Sequence, residues 1–278
     1  MTNVAGLQAK LLNIARQTGL EFQLLLNRFG AEQFLVRLSE SPFVEKFIFK
    51  GGSLLTYLIE TERRTKDLDF TVKQLGNQVD DVVSVIKSVL AIPMDDGLEW
   101  GEIEGYALQH PDMDYPGVRI ICRFLLGKMR GRVQMDMAIG EVLEAVRMPL
   151  KRIRYKEQPL MGPDFSLLSY PLELIFAEKL QIAVDKGEDN TRMRDYYDLF
   201  KLSQEDLDMS LLGTCLDSVF VKRKNPLIET IPFDEKTISK LQTYWERYAL
   251  KSRLKDAPRT IGEIIAMING KLKEIPGK

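Results

Sequence analysis

The stretch Asp67-Leu68-Asp69-Phe70-Thr71-Val72 alternates polar and apolar residues without a break. An extended strand points successive side chains to opposite faces. Leu68, Phe70 and Val72 are therefore assigned to a core face, and Asp67, Asp69 and Thr71 to the face opposite. Upstream, Phe43–Lys50 is aromatic-rich around Phe47-Ile48-Phe49 and reads as another strand. Gly51-Gly52-Ser53 then reads as a turn, and Leu54–Glu62 as a helix that Ser53 is placed to cap. The order strand, glycine turn, helix, strand assigns this region to a mixed α/β lobe.

The remaining periodicities extend that lobe and then leave it. Residues 7–38 carry Leu7, Leu11, Leu12, Ile14 and Ala15, then Phe22, Leu25, Leu26, Phe29, Phe34, Leu35 and Leu38 at helical spacing. Gly30 is the expected break between two helices. Residues 79–92 read as a helix through Val82, Val83, Ile86, Val89 and Leu90. Residues 117–126 and 131–140 read as two strands of a hairpin, joined by Gly127-Lys128-Met129-Arg130-Gly131. A polar connection containing Pro149, Pro159 and Pro163 follows, and from Pro171 onward the pattern is mainly helical. The expected fold is α+β, with an N-terminal mixed-sheet lobe over 1–165 and a helical C-terminal lobe over 166–278.

Composition removes several classes of chemistry. With 278 residues, 45% hydrophobic and 28% charged, the chain is an ordinary globular one, and its net charge of -1 means that any basic surface must be local. Cys122 and Cys215 form no CxxC pair, which excludes a zinc site of that spacing and argues against a disulfide framework. The single histidine, His110, falls in the loop-like stretch His110-Pro111-Asp112, so histidine-centred metal or hydrolytic sites are poor readings. The N-terminus lacks the pattern of a signal peptide and no run is long enough to span a bilayer, so a cytoplasmic protein without a membrane partner is expected.

Carboxylates are then the available metal ligands. Asp67 and Asp69, two residues apart on one strand face, can converge on one hard divalent cation. In Val133-Gln134-Met135-Asp136-Met137-Ala138-Ile139 the odd positions are apolar, and Asp136 points the other way with Gln134 and Ala138. A third acid on a neighbouring strand completes a set able to bind two metals, activate a nucleophile and stabilise a leaving pyrophosphate. Whether Asp136 ligates the metal or orients a neighbour is left open by the spacing. Gly51 and Gly52 allow a ligand close to the backbone, and the N–H groups of the helix opened by Ser53 favour anions such as a triphosphate. Taken singly, each piece has a plainer reading as a turn or a solvated strand face; the combination is what is specific.

Together these residues resemble the nucleotidyltransferase fold of the DNA polymerase β superfamily. Lys50-Gly51-Gly52-Ser53-Leu54-Leu55 through Arg64-Thr65-Lys66-Asp67-Leu68-Asp69-Phe70 is similar to the AbiEii/AbiGii toxin family of abortive-infection and toxin–antitoxin systems. That resemblance implies a later Lys and Asp. Glu173-Leu174-Ile175-Phe176-Ala177-Glu178-Lys179-Leu180 and Arg194-Asp195-Tyr196-Tyr197-Asp198-Leu199 supply them, so the likeness runs over about 45–202. It implies Mg²⁺ (or Mn²⁺) on Asp67, Asp69 and Asp136. It also implies a nucleoside triphosphate held by Gly51, Gly52, Ser53, Arg64, Lys66, Lys179 and Asp198, with Lys179 and Asp195 among the catalytic groups. The implied reaction moves a nucleotide to an RNA acceptor such as the tRNA 3′ end, with a cognate antitoxin as partner. A small hydroxyl acceptor such as an aminoglycoside, or a catalytically dead nucleotide-binding protein, are the alternatives.

The second cluster can also be read from its periodicity. On a helical wheel at about 100° per residue, Lys179 sits at the centre of the arc formed by Leu172, Ile175, Phe176, Ile182 and Ala183, with Glu178, Gln181 and Asp185 opposite. A lysine there needs a partner or a ligand, or must snorkel to water. Asp195 falls between Leu199 and Leu202, whereas Asp198 falls nearer Arg194 and Lys201. Asp195 is thus the expected inward acid and Asp198 a local cap or pair. Thr65 would lie close to any metal. Basic runs at Arg63-Arg64-x-Lys66, Lys128-x-Arg130-x-Arg132, Lys151-Arg152-x-Arg154-x-Lys156 and Lys222-Arg223-Lys224, with Lys251, Arg253 and Lys255, are solvated faces or a patch for RNA phosphates.

Overall fold

The computed structural model of the chain describes residues 2–75, 78–108, 117–140 and 144–276; His110 and its neighbours lie outside them. Two compact units are present, one formed by Met1–Glu60 and Thr65–Ser169, the other by Thr61–Arg64 and Tyr170–Lys278.

In the first unit, α1 (Val4–Thr18) is capped by Asn3 and ends on Gly19 in the left-handed conformation. The helix break therefore lies at Gly19, not Gly30. Gly30 sits inside α2 (Phe22–Glu40), where a Cβ would come within 2.5 Å of the Phe124 ring carbon Cζ. The glycine is there for close approach of helix and sheet, which its lack of a side chain allows. From Phe29 to Leu38 α2 is buried on all sides, so even its polar residues have interior partners. Glu32 accepts from Arg152 Nε at 2.9 Å, and Arg37 pairs with Asp96. Arg152 is accordingly a buried structural residue and leaves the basic run it was grouped with.

β1 (Phe47–Lys50) leads directly into α3 (Gly51–Leu58). Gly51 has φ +72°, a conformation that L side chains rarely adopt, and it turns the chain from strand to helix in one step. The helix consequently starts three residues before the expected Leu54. Lys50 occupies the N-cap position, and Ser53 lies in the first turn rather than capping it. β2 (Asp67–Val72), α4 (Val79–Leu90), β3 (Leu98–Leu108), β4 (Gly117–Leu126) and β5 (Met129–Ile139) follow. The β4–β5 loop is only Gly127-Lys128, shorter than expected, because Met129, Arg130 and Gly131 pair with Leu126, Leu125 and Phe124.

The proline-containing stretch expected to be a mere connection holds four more strands: β6 (Val146–Leu150), β7 (Arg154–Tyr155), β8 (Gln158–Pro159) and β9 (Phe165–Ser169). β7 and β8 form a separate small hairpin. The others join a seven-stranded sheet of order β3-β4-β5-β2-β1-β9-β6. β6 is an edge, where the missing N–H of Pro149 is tolerated. The sheet is mixed: β2 runs parallel to β5 and antiparallel to β1, and β1 runs parallel to β9. Phe70 anchors its core face, with the rings of Phe49, Phe47 and Phe34 at 5.2, 5.7 and 6.3 Å, respectively. Leu68, Phe70 and Val72 are buried as the alternation requires.

The second unit is helical: α5 (Leu172–Lys186), α6 (Met193–Leu202), α7 (Met209–Lys222), α8 (Glu235–Ser252) and α9 (Ile261–Lys273). Asp208, Asp234 and Thr260 cap α7, α8 and α9, the last in a full capping box with Glu263. α5 is buried almost all round, so Gln181, expected outward, is interior and donates to Asn225 at 2.8 Å. Among the described residues no helix is long and apolar enough to cross a membrane.

Candidate active site

Asp67 and Asp69 lie on the face of β2 away from the Phe70 core, both partly exposed. Thr71, on the same face, is closed over and buried. The parallel pairing of β2 with β5 sets Asp69 beside Asp136 and Asp67 beside Gln134. The third acid predicted from alternation is thus the lateral neighbour of Asp69. On its other flank Asp69 pairs with Lys50, the last residue of β1, immediately before Gly51. A Cβ on Gly51 would lie 2.9 Å from both Cβ and Cγ of Asp69, so only glycine leaves the acid in place. Gly52 and Ser53 are buried in the first turn of α3, and the Ser53 hydroxyl makes no hydrogen bond among the described residues. Lys66 is exposed at the edge of the acid pair.

The electrostatics of this face are those of crowded acids. Burial and then the Asp136 charge push the Asp67 carboxyl above its usual range; Arg119, Arg132 and Lys66 pull it back. Such crowding is what a divalent cation relieves, and aspartate oxygens are its preferred donors. Asp67 and Asp69 fit that role. Asp136 is differently placed: Arg119 on β4 donates to it twice, Nε to Oδ1 and Nη2 to Oδ2, each at 2.7 Å. Among the described residues no three His, Cys, Asp or Glu side chains gather closely enough to hold a metal together. Arg119 was not singled out from the sequence. The alternation of β4 carries it to the acid face, but nothing in the sequence states that it pairs with Asp136.

The helical unit collects the second group of expected residues. Lys179 contacts Asp195 at 2.8 Å and Asp198 at 2.7 Å, and both acids are about 1% exposed. Asp198 is therefore as interior as Asp195, against the wheel reading. The cause is Arg63, which ion-pairs with Asp198, while Arg192 pairs with Asp195 at 2.7 Å. With a cation from outside α6 on each acid, both can be buried. Burial pushes the Lys179 ammonium down to about 8, opposed by Asp195. Arg63 belongs to this unit through the segment Thr61–Arg64. The run Arg63-Arg64-x-Lys66 is thereby divided, with Arg64 exposed and Thr65 counted with the first unit.

A family model described as nucleotidyl transferase AbiEii toxin, type IV toxin–antitoxin system, matches residues 33–266. The chain belongs to the AbiEii family. It is a nucleotidyltransferase of toxin–antitoxin type, for which the family implies a nucleotide substrate and an antitoxin partner. The AbiEii match runs past Leu202, where the recognisable motifs end, and takes in most of the remaining helices. Two solved Helicobacter pylori structures are similar over nearly the whole chain. JHP933 is 16% identical with a TM-score of 0.49, covering 89% of this chain and 91% of its own. A proposed nucleotidyltransferase is 18% identical with a TM-score of 0.50, covering 90% and 93%. At such identity the second likeness concerns the fold alone. Comparison with curated proteins returns no match.

Proposed function

We propose that this AbiEii chain transfers a nucleoside monophosphate from a nucleoside triphosphate to an RNA hydroxyl, with the tRNA 3′ end as acceptor, in the cytoplasm. The observation that carries the reading is the juxtaposition of Asp67, Asp69 and Asp136 on one sheet face, with Gly51 packed on Asp69.

Asp67 and Asp69 would hold Mg²⁺ (or Mn²⁺), with Asp136 beside Asp69 on the same face. The bound ion supplies neutralisation of phosphate charge and Lewis-acid activation. The first turn of α3, Gly51-Gly52-Ser53, offers unpaired N–H groups to phosphate oxygens, and the buried Ser53 hydroxyl gains a partner there. Lys66 and Arg64, both exposed, assist in holding the triphosphate. The acceptor oxygen attacks the α-phosphorus, the bond from that phosphorus to the bridging oxygen breaks, pyrophosphate leaves, and the hydroxyl proton passes to water. The site's contribution is positioning and charge stabilisation. In the helical unit, Lys179 is read as a phosphate-binding cation, with Asp195 and Asp198 as its carboxylate partners. The lysine and two arginines acting on Asp67 favour an anionic acceptor such as RNA over a cationic aminoglycoside.

The test is incubation of purified protein with each α-³²P nucleoside triphosphate, Mg²⁺ and total tRNA, alongside Asp67→Asn. Label on tRNA that disappears in the variant is expected and identifies the nucleotide. Folded protein that labels no tRNA with any of the four nucleotides overturns the RNA reading.

A further inference from the structure

The acid face carries one strong cation that no motif accounts for. Arg119 stands on β4 directly opposite Asp136 in the β4–β5 register, and Asp136 stands directly beside Asp69 on β2. Three adjacent strands thus present Asp69, Asp136 and Arg119 as a single row. The guanidinium takes both oxygens of Asp136 in a fork, each contact 2.7 Å. Bidentate pairing of this kind fixes the plane of the arginine as well as its position. About 36% of the Arg119 side chain remains exposed, compared with 25% for Asp136, so the pair is open to a ligand. Arg119 is close enough to Asp67 and Asp69 to interact electrostatically with both.

Pairing, rather than net charge, separates Asp136 from the other two acids: Arg119 occupies both of its oxygens, while Asp67 feels Arg119, Arg132 and Lys66 only as neighbouring charges. A cation placed on Asp136 would lie against a guanidinium held on both of its oxygens, and would be repelled by it. The remaining N–H donors of Arg119 are not used by Asp136. The guanidinium feels the charges of Asp67 and Asp69, the acids to which a metal-bound triphosphate would bring its excess negative charge.

We propose that Arg119 is a phosphate-binding residue of this site, and that Asp136 is a positioning residue for Arg119 rather than a metal ligand. The proposal rests on the metal-nucleotide reading above, and it predicts that the free protein binds one divalent ion at this face. Asp136 is then needed for nucleotide affinity and dispensable for metal affinity, the reverse of what a third ligand would show.

The experiment measures two equilibria in the full chain without turnover. Mn²⁺ binding is followed by electron paramagnetic resonance. Nucleotide binding is followed by calorimetry with the αβ-methylene analogues of the four nucleoside triphosphates, in saturating Mn²⁺. The variants are Asp136→Asn, Arg119→Gln, Arg119→Lys, the Asp136→Asn/Arg119→Gln double variant and Asp67→Asn. Expected for Asp136→Asn and Arg119→Gln is one Mn²⁺ bound within about twofold of the wild-type affinity. Both weaken the analogue at least about tenfold, consistent with the loss of a charge-assisted contact. The double variant is no weaker than either single one, and Arg119→Lys restores only part of the loss because a lysine cannot form the fork.

Loss of Mn²⁺ binding in Asp136→Asn to the level of Asp67→Asn overturns the proposal and makes Asp136 a ligand. Unchanged analogue affinity in Arg119→Gln overturns it as well. Should Asp136→Asn fail to fold, Arg119→Gln alone decides the phosphate role. Mn²⁺ binding that survives Asp67→Asn is a separate result: it removes the metal site from this face and so defeats the function proposed above, independently of what Arg119 does.

Discussion

Gly51 couples backbone conformation to the acid pair. Its φ of +72° and the absence of space beside Asp69 act together, so Gly51→Ala strains the turn and displaces the carboxylate. The expected loss is about 1–2 kcal/mol in denaturant unfolding from the conformation alone. Transfer activity should fall further than stability, because Asp69 must move. Asp195 makes a different prediction. Burial opposes its ionisation, but Lys179 and Arg192 more than offset this, and the carboxyl ends below its ordinary value of 3.8. A carboxyl depressed on folding contributes stability that is present above pH 3.8 and lost as pH falls through the folded value. Asp195→Asn should therefore destabilise the protein by about 3 kcal/mol at neutral pH and flatten the acid side of the stability profile. Thermal melts between pH 3 and 7 measure both effects; an unchanged acid limb would show that other carboxylates dominate it.

At the scale of elements, intrinsic preference and packing disagree most clearly at Gly30. Alanine is a better helix former than glycine by about 1 kcal/mol. In α2, however, the added methyl meets the Phe124 ring. Gly30→Ala is expected to destabilise by about 1–3 kcal/mol through overpacking, and a paired Phe124→Leu change should recover part of that. Calorimetric melting of the two variants checks the coupling. The same element shows what periodicity could reach. Apolar spacing located α1 and α2, but not their junction, because a glycine tolerated for close approach looks like a breaker in sequence. β3 and β6 escaped notice for other reasons. β3 is an edge and largely exposed, so it does not alternate cleanly, whereas β6 alternates but carries Pro149, which argues against a strand away from a sheet edge.

For the whole molecule, the important feature is that chain order and compact units do not coincide. Thr61–Arg64 interrupts the first unit in sequence and belongs to the second. Arg63 then supplies a cation to the buried Asp198. A fragment comprising 170–278 retains all five helices but lacks that cation. It is expected to be markedly less stable than the same region within the full chain, because a buried carboxylate loses one of its two positive partners. Far-UV circular dichroism of the fragment, with and without Asp198→Asn, checks this: the substitution should recover stability in the fragment and lose it in the full chain. Recovery in neither would show that the Arg63 contact contributes little.

The carboxylate face was legible because a strand has a period of two, and period two needs no tertiary information to sort Asp67 and Asp69 from Leu68 and Phe70. The face of Asp136 was legible for an equally local reason; the glycine turn was legible only as the point where the chain leaves β1, since Gly51, Gly52 and Ser53 already belong to the helix. What local pattern cannot express is register. That Asp136 falls beside Asp69, and Arg119 across from Asp136, depends on which strands pair and by what offset. In the helical unit the wheel correctly turned Lys179 and Asp195 inward, yet misplaced Asp198, because its partner Arg63 comes from 135 positions away. Sequence by itself determined which side chains could serve as ligands and anchors. Only the tertiary structure decided which charges neutralise one another, since a Coulomb interaction depends on distance in space and dielectric, neither of which is a property of position along the chain.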